Sequence, residues 1–256
     1  MAYLLTFLVG LALGSFCNVV ITRLPQGEQF WRGRSRCPHC RAALPWRDNL
    51  PLLSYLWLRG RCRFCGAAIS RRYPLVELAA GVLALALWAR FPDRLLLLAY
   101  GPFGAALLLL SAIDLEQRLL PDAITLPGIA LGLILALALP HLRWWEAATG
   151  ALLGGAAFFA VGWIYEKLTG RQGMGGGDVK LMAMIGAFLG LQAVPFVVFV
   201  SAALGTLVGL GLALHRHRWR GGQWRVASIP YGPFLAAAAL LYLFGVRFLG
   251  NWGPGI

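Results

Sequence analysis

The first twenty-one residues read MAYLLTFLVGLALGSFCNVVI (residues 1–21) and carry no charged side chain. A helix needs about 20 predominantly apolar residues to cross the hydrocarbon of a bilayer, and this stretch has that length. A cleaved signal peptide would place basic residues ahead of its apolar segment. Here the apolar run begins at once, so it reads as an uncleaved first spanning helix. Seven further apolar runs follow, over residues 74–91, 95–113, 123–139 and 145–165, then one starting near Val179, one ending near Leu214, and one over 229–249. Gly190 to Pro195 reads as a tight turn between the sixth and seventh. The chain is 59% hydrophobic with a mean hydropathy of +0.69. Soluble domains hold roughly 45–50% apolar residues and could not bury so many long runs. The pattern predicts an all-α polytopic membrane protein of about eight transmembrane helices. Its organisation is a first helix (1–21), a cytoplasmic metal-binding loop (22–73) and a membrane-embedded core (74–256).

Basic residues set the orientation. With eight helices, nineteen of the twenty-three Lys and Arg residues fall on one side. Eleven are in the 22–73 loop, and the others are Arg118, Lys167, Arg171, Lys180, Arg216, Arg218, Arg220 and Arg225. Arg90, Arg94, Arg143 and Arg247 fall on the other side. The positive-inside rule then puts the long loop in the cytoplasm and both termini outside. The formal charge of +13 is accounted for by cytoplasmic loops facing anionic membrane lipid, and nucleic acid is not expected as a partner.

The long loop contains Cys37-Pro-His-Cys40 and, after twenty-one residues, Cys62-Arg-Phe-Cys65. Two CxxC pairs about twenty residues apart have zinc-ribbon spacing, and two thiolates from each turn complete a tetrahedron. A reducing compartment argues against disulfides. Four thiolates leave no open position for a substrate, so the expected zinc is structural and folds a loop too short for its own apolar core. Gly66 follows the second pair, where the backbone needs freedom. His39 is a spare candidate ligand, and Cys17, alone in the first helix, is expected to pack there.

The ten acidic residues are sparse enough to read one by one. Asp114 ends the third run in Ser111-Ala-Ile-Asp114-Leu-Glu-Gln-Arg118-Leu-Leu-Pro121-Asp122. Asp178 opens the sixth in Gly173-Met-Gly-Gly-Gly177-Asp178-Val-Lys180. Both are expected at one membrane face. A carboxylate at the edge of hydrocarbon is costly and therefore a candidate for function. The structural alternative is helix capping or pairing with Arg118 or Lys180. Two neighbouring carboxyls share a proton, so one can activate water while the other protonates a leaving amine. The glycines give room for an extended substrate. A phosphate-binding loop would need a preceding strand and a GK[ST] ending, and neither is present. A cation-coupled transporter would want its acids near the bilayer midplane; these sit at the rim. A scaffold subunit docking through the zinc loop leaves the glycine run without a purpose.

Several segments resemble a known family. GGGD at Gly175 to Asp178 resembles the motif of GxGD-type membrane aspartic peptidases. IDLEQRLLPD (residues 113–122) resembles the first-aspartate motif of bacterial type IV prepilin peptidases. Gly14-Ser-Phe-Cys-Asn18, Arg23-Leu-Pro25, the paired CxxC loop and Ser70-Arg-Arg-Tyr-Pro-Leu-Val-Glu77 are similar too, in the family's order. The resemblance implies an enzyme of the bacterial inner membrane with its active site facing the cytoplasm. It implies cleavage of the basic leader of type IV prepilins and type II secretion pseudopilins, then N-methylation of the new N-terminus with S-adenosylmethionine. Peptidase activity without methylation is the alternative. Asp114 and Asp178 match the catalytic pair, and Cys37, Cys40, Cys62 and Cys65 match the zinc ligands. Asp122 matches a frequent non-catalytic aspartate and is expected to cap the fourth spanning helix. Glu77 is either a contributor to methylation or a partner for Arg71 or Arg72. Glu116 and Asp122 are acids available to a basic leader.

Overall fold

The structure, a computed structural model, describes residues 1–31, 33, 35–91, 93–170, 174–220 and 229–245, without the side chains of 216–220. Arg32, Arg34, Arg171, Gly173, Arg225, Arg247 and the end of the eighth run toward Leu249 lie outside the described residues. So do the side chains of Arg216, Arg218 and Arg220.

Helices occupy every predicted run. They are α1 (Ala2–Arg23), α3 (Arg72–Arg90), α4 (Arg94–Gln117), α5 (Asp122–Ala136), α6 (Trp144–Thr169), α7 (Gly176–Leu189), α8 (Ala193–Arg220) and α9 (Gly232–Gly245). A short α2 (Leu53–Trp57) lies in the long loop. Among the described residues, extended pairing is limited to two isolated bridges. α1, α3, α4, α6 and α8 are long and apolar enough to cross a membrane. α5, α7 and α9 are described over 15, 14 and 14 residues. That is about 21–23 Å of helix at 1.5 Å per residue, short of a hydrocarbon layer of about 30 Å. Exposed apolar side chains such as Leu4, Leu8, Leu152, Phe159, Phe199 and Leu207 suit a lipid surrounding rather than water. On α6 the exposed Trp144 and Trp145 precede the exposed Trp163 and Tyr165 by about 28–30 Å of helix. That is the separation of the two aromatic belts of a bilayer.

The chain forms two compact units, residues 1–112 and 113–256. In the first, α1 lies directly on α3. A Cβ on Gly10 would come 2.8 Å from the Gly81 Cα, and one on Gly14 would come 2.7 Å from the Glu77 Cα. Small residues four apart let two helix backbones touch, which is how spanning helices associate when lipid is as apolar as their side chains. Cys17 of α1 is buried, as expected.

In the second unit the 14-residue α7 is deeply enclosed. Leu181, Met182, Met184, Ile185 and Ala187 of α7 are fully buried, and the helix lies against α5, α6 and α9. A helix sheathed in protein has no need to match the bilayer thickness, which accounts for the brevity of the sixth run. α7 stops at Gly190, whose φ of +77° lies in the left-handed region that glycine enters without penalty. The expected turn through Pro195 is shorter than predicted, because α8 begins at Ala193 and Pro195 sits in its first turn. Proline is tolerated there, since first-turn amides have no helical acceptor. α8 also continues to Arg220, beyond the apolar run that ends near Leu214.

Candidate active site

Asp114 lies near the C-terminal end of α4 and is 5% exposed. The helix is stopped just after it. Arg118 has φ +54° and its amide donates to the Asp114 carbonyl at 2.9 Å, a left-handed cap formed without glycine. That conformation costs a non-glycine residue about 1–2 kcal/mol. Asp178 lies in the first turn of α7, where Gly175 is the N-cap. Its carboxyl takes a hydrogen bond from the Gly175 amide and feels the charge of Asp114. An acid in the first turn also faces the positive end of the helix dipole. The glycine run thus puts one carboxyl at a helix start and the Arg118 turn puts the other at a helix end, within electrostatic reach of each other.

A third segment completes this neighbourhood. The Gly232 amide, at the start of α9, donates to Asp114 Oδ2 at 2.8 Å in a buried setting. The preceding Tyr231 shares a 2.9 Å hydrogen bond with the fully buried Ser201 of α8, and its hydroxyl lies in the field of Asp178. Gly232, Tyr231 and Ser201 escaped the sequence reading, which took 229–249 as one more spanning run. The available signal was Pro230-Tyr-Gly-Pro233, a cluster of helix breakers at the head of an apolar stretch. Asp122 departs from expectation. It opens α5, but Pro121 is the N-cap and no side chain caps that end. Its carboxylate instead takes Lys180 Nζ at 2.7 Å on both oxygens. A cation two residues past Asp178 is a stronger partner than neutral amides.

The four cysteines of the long loop converge. Their sulfurs lie within 4.8 Å of one another, with Cys37 and Cys65 Sγ 3.8 Å apart. The two knuckles are built alike. The Cys37 amide donates to the Ala42 carbonyl and the Arg41 amide to the Cys37 carbonyl; the Cys62 amide donates to Ala67 and the Gly66 amide to Cys62. Each knuckle is closed by a bridge, Arg36 with Ala43 and Arg61 with Ala68. The left-handed position is Gly66 (φ +71°) in the second knuckle, as anticipated, and Arg41 (φ +56°) in the first. The Cys40 amide is the main influence that lowers the Cys37 thiol to about 6. The Ala67 amide pulls Cys65 down, but burial and the other three sulfurs carry it up to about 11. Four sulfurs in so small a space cannot all ionise without a cation among them. His39 is exposed and outside the cluster.

Two buried carboxylates tie the loop together. Asp48 accepts a forked pair of hydrogen bonds from Arg63 Nε and Nη2 at 2.9 and 2.6 Å, and Arg63 holds its carboxyl below the usual range. Glu77 of α3 accepts the Leu52 amide at 2.9 Å and a hydrogen bond from Ser15. Leu52 has φ +58°, so Glu77 secures a strained turn of the loop on α3.

Comparison with known proteins bears on both sites. The profile of the Bacterial Peptidase A24 N-terminal domain matches residues 8–91, which include all four clustered cysteines. The profile of the Type IV leader peptidase family matches residues 102–210, which include both aspartates. A protein of Aeromonas hydrophila named prepilin leader peptidase/N-methyltransferase is 39% identical over 97% of this chain and 92% of its own length. The chain belongs to the type IV leader peptidase family. Proteins of the same name from Burkholderia pseudomallei (40% identical, 92% of this chain, 83% of the relative) and Stutzerimonas stutzeri (38%, 100%, 93%) agree. No solved structure matches the chain.

Proposed function

We propose that this protein removes the leader of type IV prepilins and type II secretion pseudopilins and then N-methylates the new N-terminus. What supports the peptidase half is a pair of carboxyls within each other's electrostatic field, Asp114 near the end of α4 and Asp178 in the first turn of α7 beside a glycine turn. One carboxylate, ionised, takes a proton from a water molecule. The water oxygen attacks the scissile carbonyl, and the other carboxyl supplies the proton that lets the amine depart. The two groups titrate as a pair, so neither has a private pKa. Gly175 and Gly176 are exposed and leave backbone open to an extended peptide. With eight spans, the sequence puts the basic 22–73 loop, Arg118 and Lys180 on one side of the membrane, which supports this chemistry at the cytoplasmic face of the bacterial inner membrane. The surrounding lipid is then the protein's second partner.

Zinc is the ion for the cysteine cluster. Four thiolates at the zinc–sulfur distance of about 2.3 Å stand about 3.8 Å apart at tetrahedral corners, which matches the Cys37–Cys65 spacing. With all four positions filled by protein, the ion braces the loop and takes no part in hydrolysis. S-adenosylmethionine, when bound, supplies the methyl group; the acceptor is the amine that cleavage has freed.

The test is purified protein in detergent with a type IV prepilin, as wild type, Asp114→Asn and Asp178→Asn, with and without S-adenosylmethionine. Wild type alone should release the leader, and its product should gain the mass of one methyl only when the donor is present. Both variants should fold and hold zinc yet lose cleavage by at least about 10³-fold, the scale of losing a proton-transfer group. Cleavage surviving either substitution would refute the assignment of the pair.

A further inference from the structure

The Gly232 amide points at one carboxyl of the pair, and the space around Gly232 shows why no larger residue stands there. A Cβ at 232 would lie 2.7 Å from Asp114 Oδ2, 3.3 Å from its Cγ and 3.3 Å from Leu120 Cδ2. The near atom is therefore the carboxylate itself, which cannot retreat as the end of a long apolar chain can. Leu120 crowds the same position. It is 7% exposed, and its Cβ would lie 2.8 Å from a Cβ placed on Gly177. Leu120 is thus seated against both glycines that border the two aspartates. The 229–232 turn is held from a third side by the Tyr231–Ser201 hydrogen bond. The Tyr231 ring stands beside Phe158 of α6 and Phe234 of α9, with centroids 6.1 and 6.2 Å away.

We infer that the turn entering α9 is the third arm of the peptidase site and that Gly232 is a positioning residue for Asp114. Its amide fixes the direction of one carboxylate oxygen, leaving the other free to face water. Its missing side chain keeps that oxygen in place. Tyr231, through Ser201, sets where the amide stands. An effect that Gly232 exerts through the carboxyl falls on turnover rather than on binding. The inference rests on the peptidase reading above, and the experiment separates the two.

The experiment is a prepilin concentration series with wild type, Gly232→Ala and Tyr231→Phe in detergent, with zinc content and thermal unfolding midpoint measured on each preparation. For Gly232→Ala the expected result is a kcat about 100-fold lower, the effect of displacing a catalytic group by about 1 Å, with KM within about two-fold. Tyr231→Phe should lower kcat about five-fold, the scale of one neutral hydrogen bond, also with KM unchanged. A folded Gly232→Ala enzyme with wild-type kcat overturns the inference. So does a rise in KM at constant kcat, which would make Gly232 a substrate contact. If Gly232→Ala loses its zinc and its unfolding transition, Tyr231→Phe decides, and a wild-type kcat there overturns it equally. Intact prepilin after incubation with well-folded wild type would instead remove the peptidase reading.

Discussion

Substituting alanine for Gly150 should damage an active site whose aspartates it does not touch. Gly150 faces the end of α7, and a Cβ there would lie 2.6 Å from the Gly186 carbonyl oxygen, 2.7 Å from the Gly190 carbonyl carbon and 2.8 Å from the Leu191 nitrogen. All three are backbone atoms, so no side chain can rotate away. Ordinary contact distances are about 3.5 Å, so α6 and α7 must part by roughly 0.8 Å. Overpacking on this scale costs about 1–3 kcal/mol, or about 2–12 °C in unfolding midpoint for a chain of this size. α7 is one rigid helix with Asp178 in its first turn, so its displacement reaches the carboxyl, and a shift near 1 Å is worth about 100-fold in rate. The assay pairs thermal unfolding in detergent with prepilin cleavage. Gly211→Ala is the control, because nothing stands within 4 Å of a Cβ there. An unchanged midpoint for Gly150→Ala would refute the close α6–α7 approach. A lowered midpoint with full cleavage would refute the claim that the position of α7 sets the position of Asp178.

Two predictions concern the loop. Cys62→Ser should reduce bound zinc from about one equivalent to none, because three thiolates do not close a structural site, and limited proteolysis should then cut within 22–73; retained zinc would mean that the four sulfurs do not share an ion. Asp48→Asn should open the loop to protease at neutral pH, and the sign with pH follows from linkage. The folded carboxyl is held below its ordinary value by Arg63, so its contribution is present above the unfolded value of about 3.9 and fades as pH falls through the lower folded value. The difference in proteolysis between wild type and Asp48→Asn should therefore be full at pH 7 and vanish in strong acid; a difference that grew with acidification would contradict the ion pair.

The helices were legible because apolar run length is a local property that lipid enforces. α1 and α3 start and stop within about two residues of the predicted runs, well inside the error usual for boundaries. The cysteine knuckles were legible because a thiolate pair in one tight turn is local too. What escaped was tertiary. The Gly232 amide and the Asp114 carboxylate are 118 positions apart, and no periodicity announces such a contact. Asp122 was misread for a related reason. Its place before α5 looks like a cap, and only the fold brings Lys180 within 2.7 Å of it. Arg41 and Arg118 hold left-handed turns that composition would have assigned to glycine. The short α2 inside the loop gave no periodic signal, having only five residues.

The position of the carboxyl pair follows from a rule about backbone rather than about aspartate. Every helix end leaves amides or carbonyls without helical partners, and in hydrocarbon such groups are tolerated only where protein or a watery cavity receives them. The ends of α4, α7 and α9 solve this together. The Arg118 amide turns back to the Asp114 carbonyl, the Gly175 amide goes to the Asp178 carboxyl, and the Gly232 amide goes to the Asp114 carboxyl. Acids are the natural occupants of such a junction, because they accept what broken helices leave over. The same junction is where a peptide can be received, since an extended substrate brings its own unpaired amides and carbonyls and needs partners for them. A site that cuts peptides at a membrane is therefore expected where helices end against one another, and here the exposed Gly175 and Gly176 leave backbone that a peptide can reach.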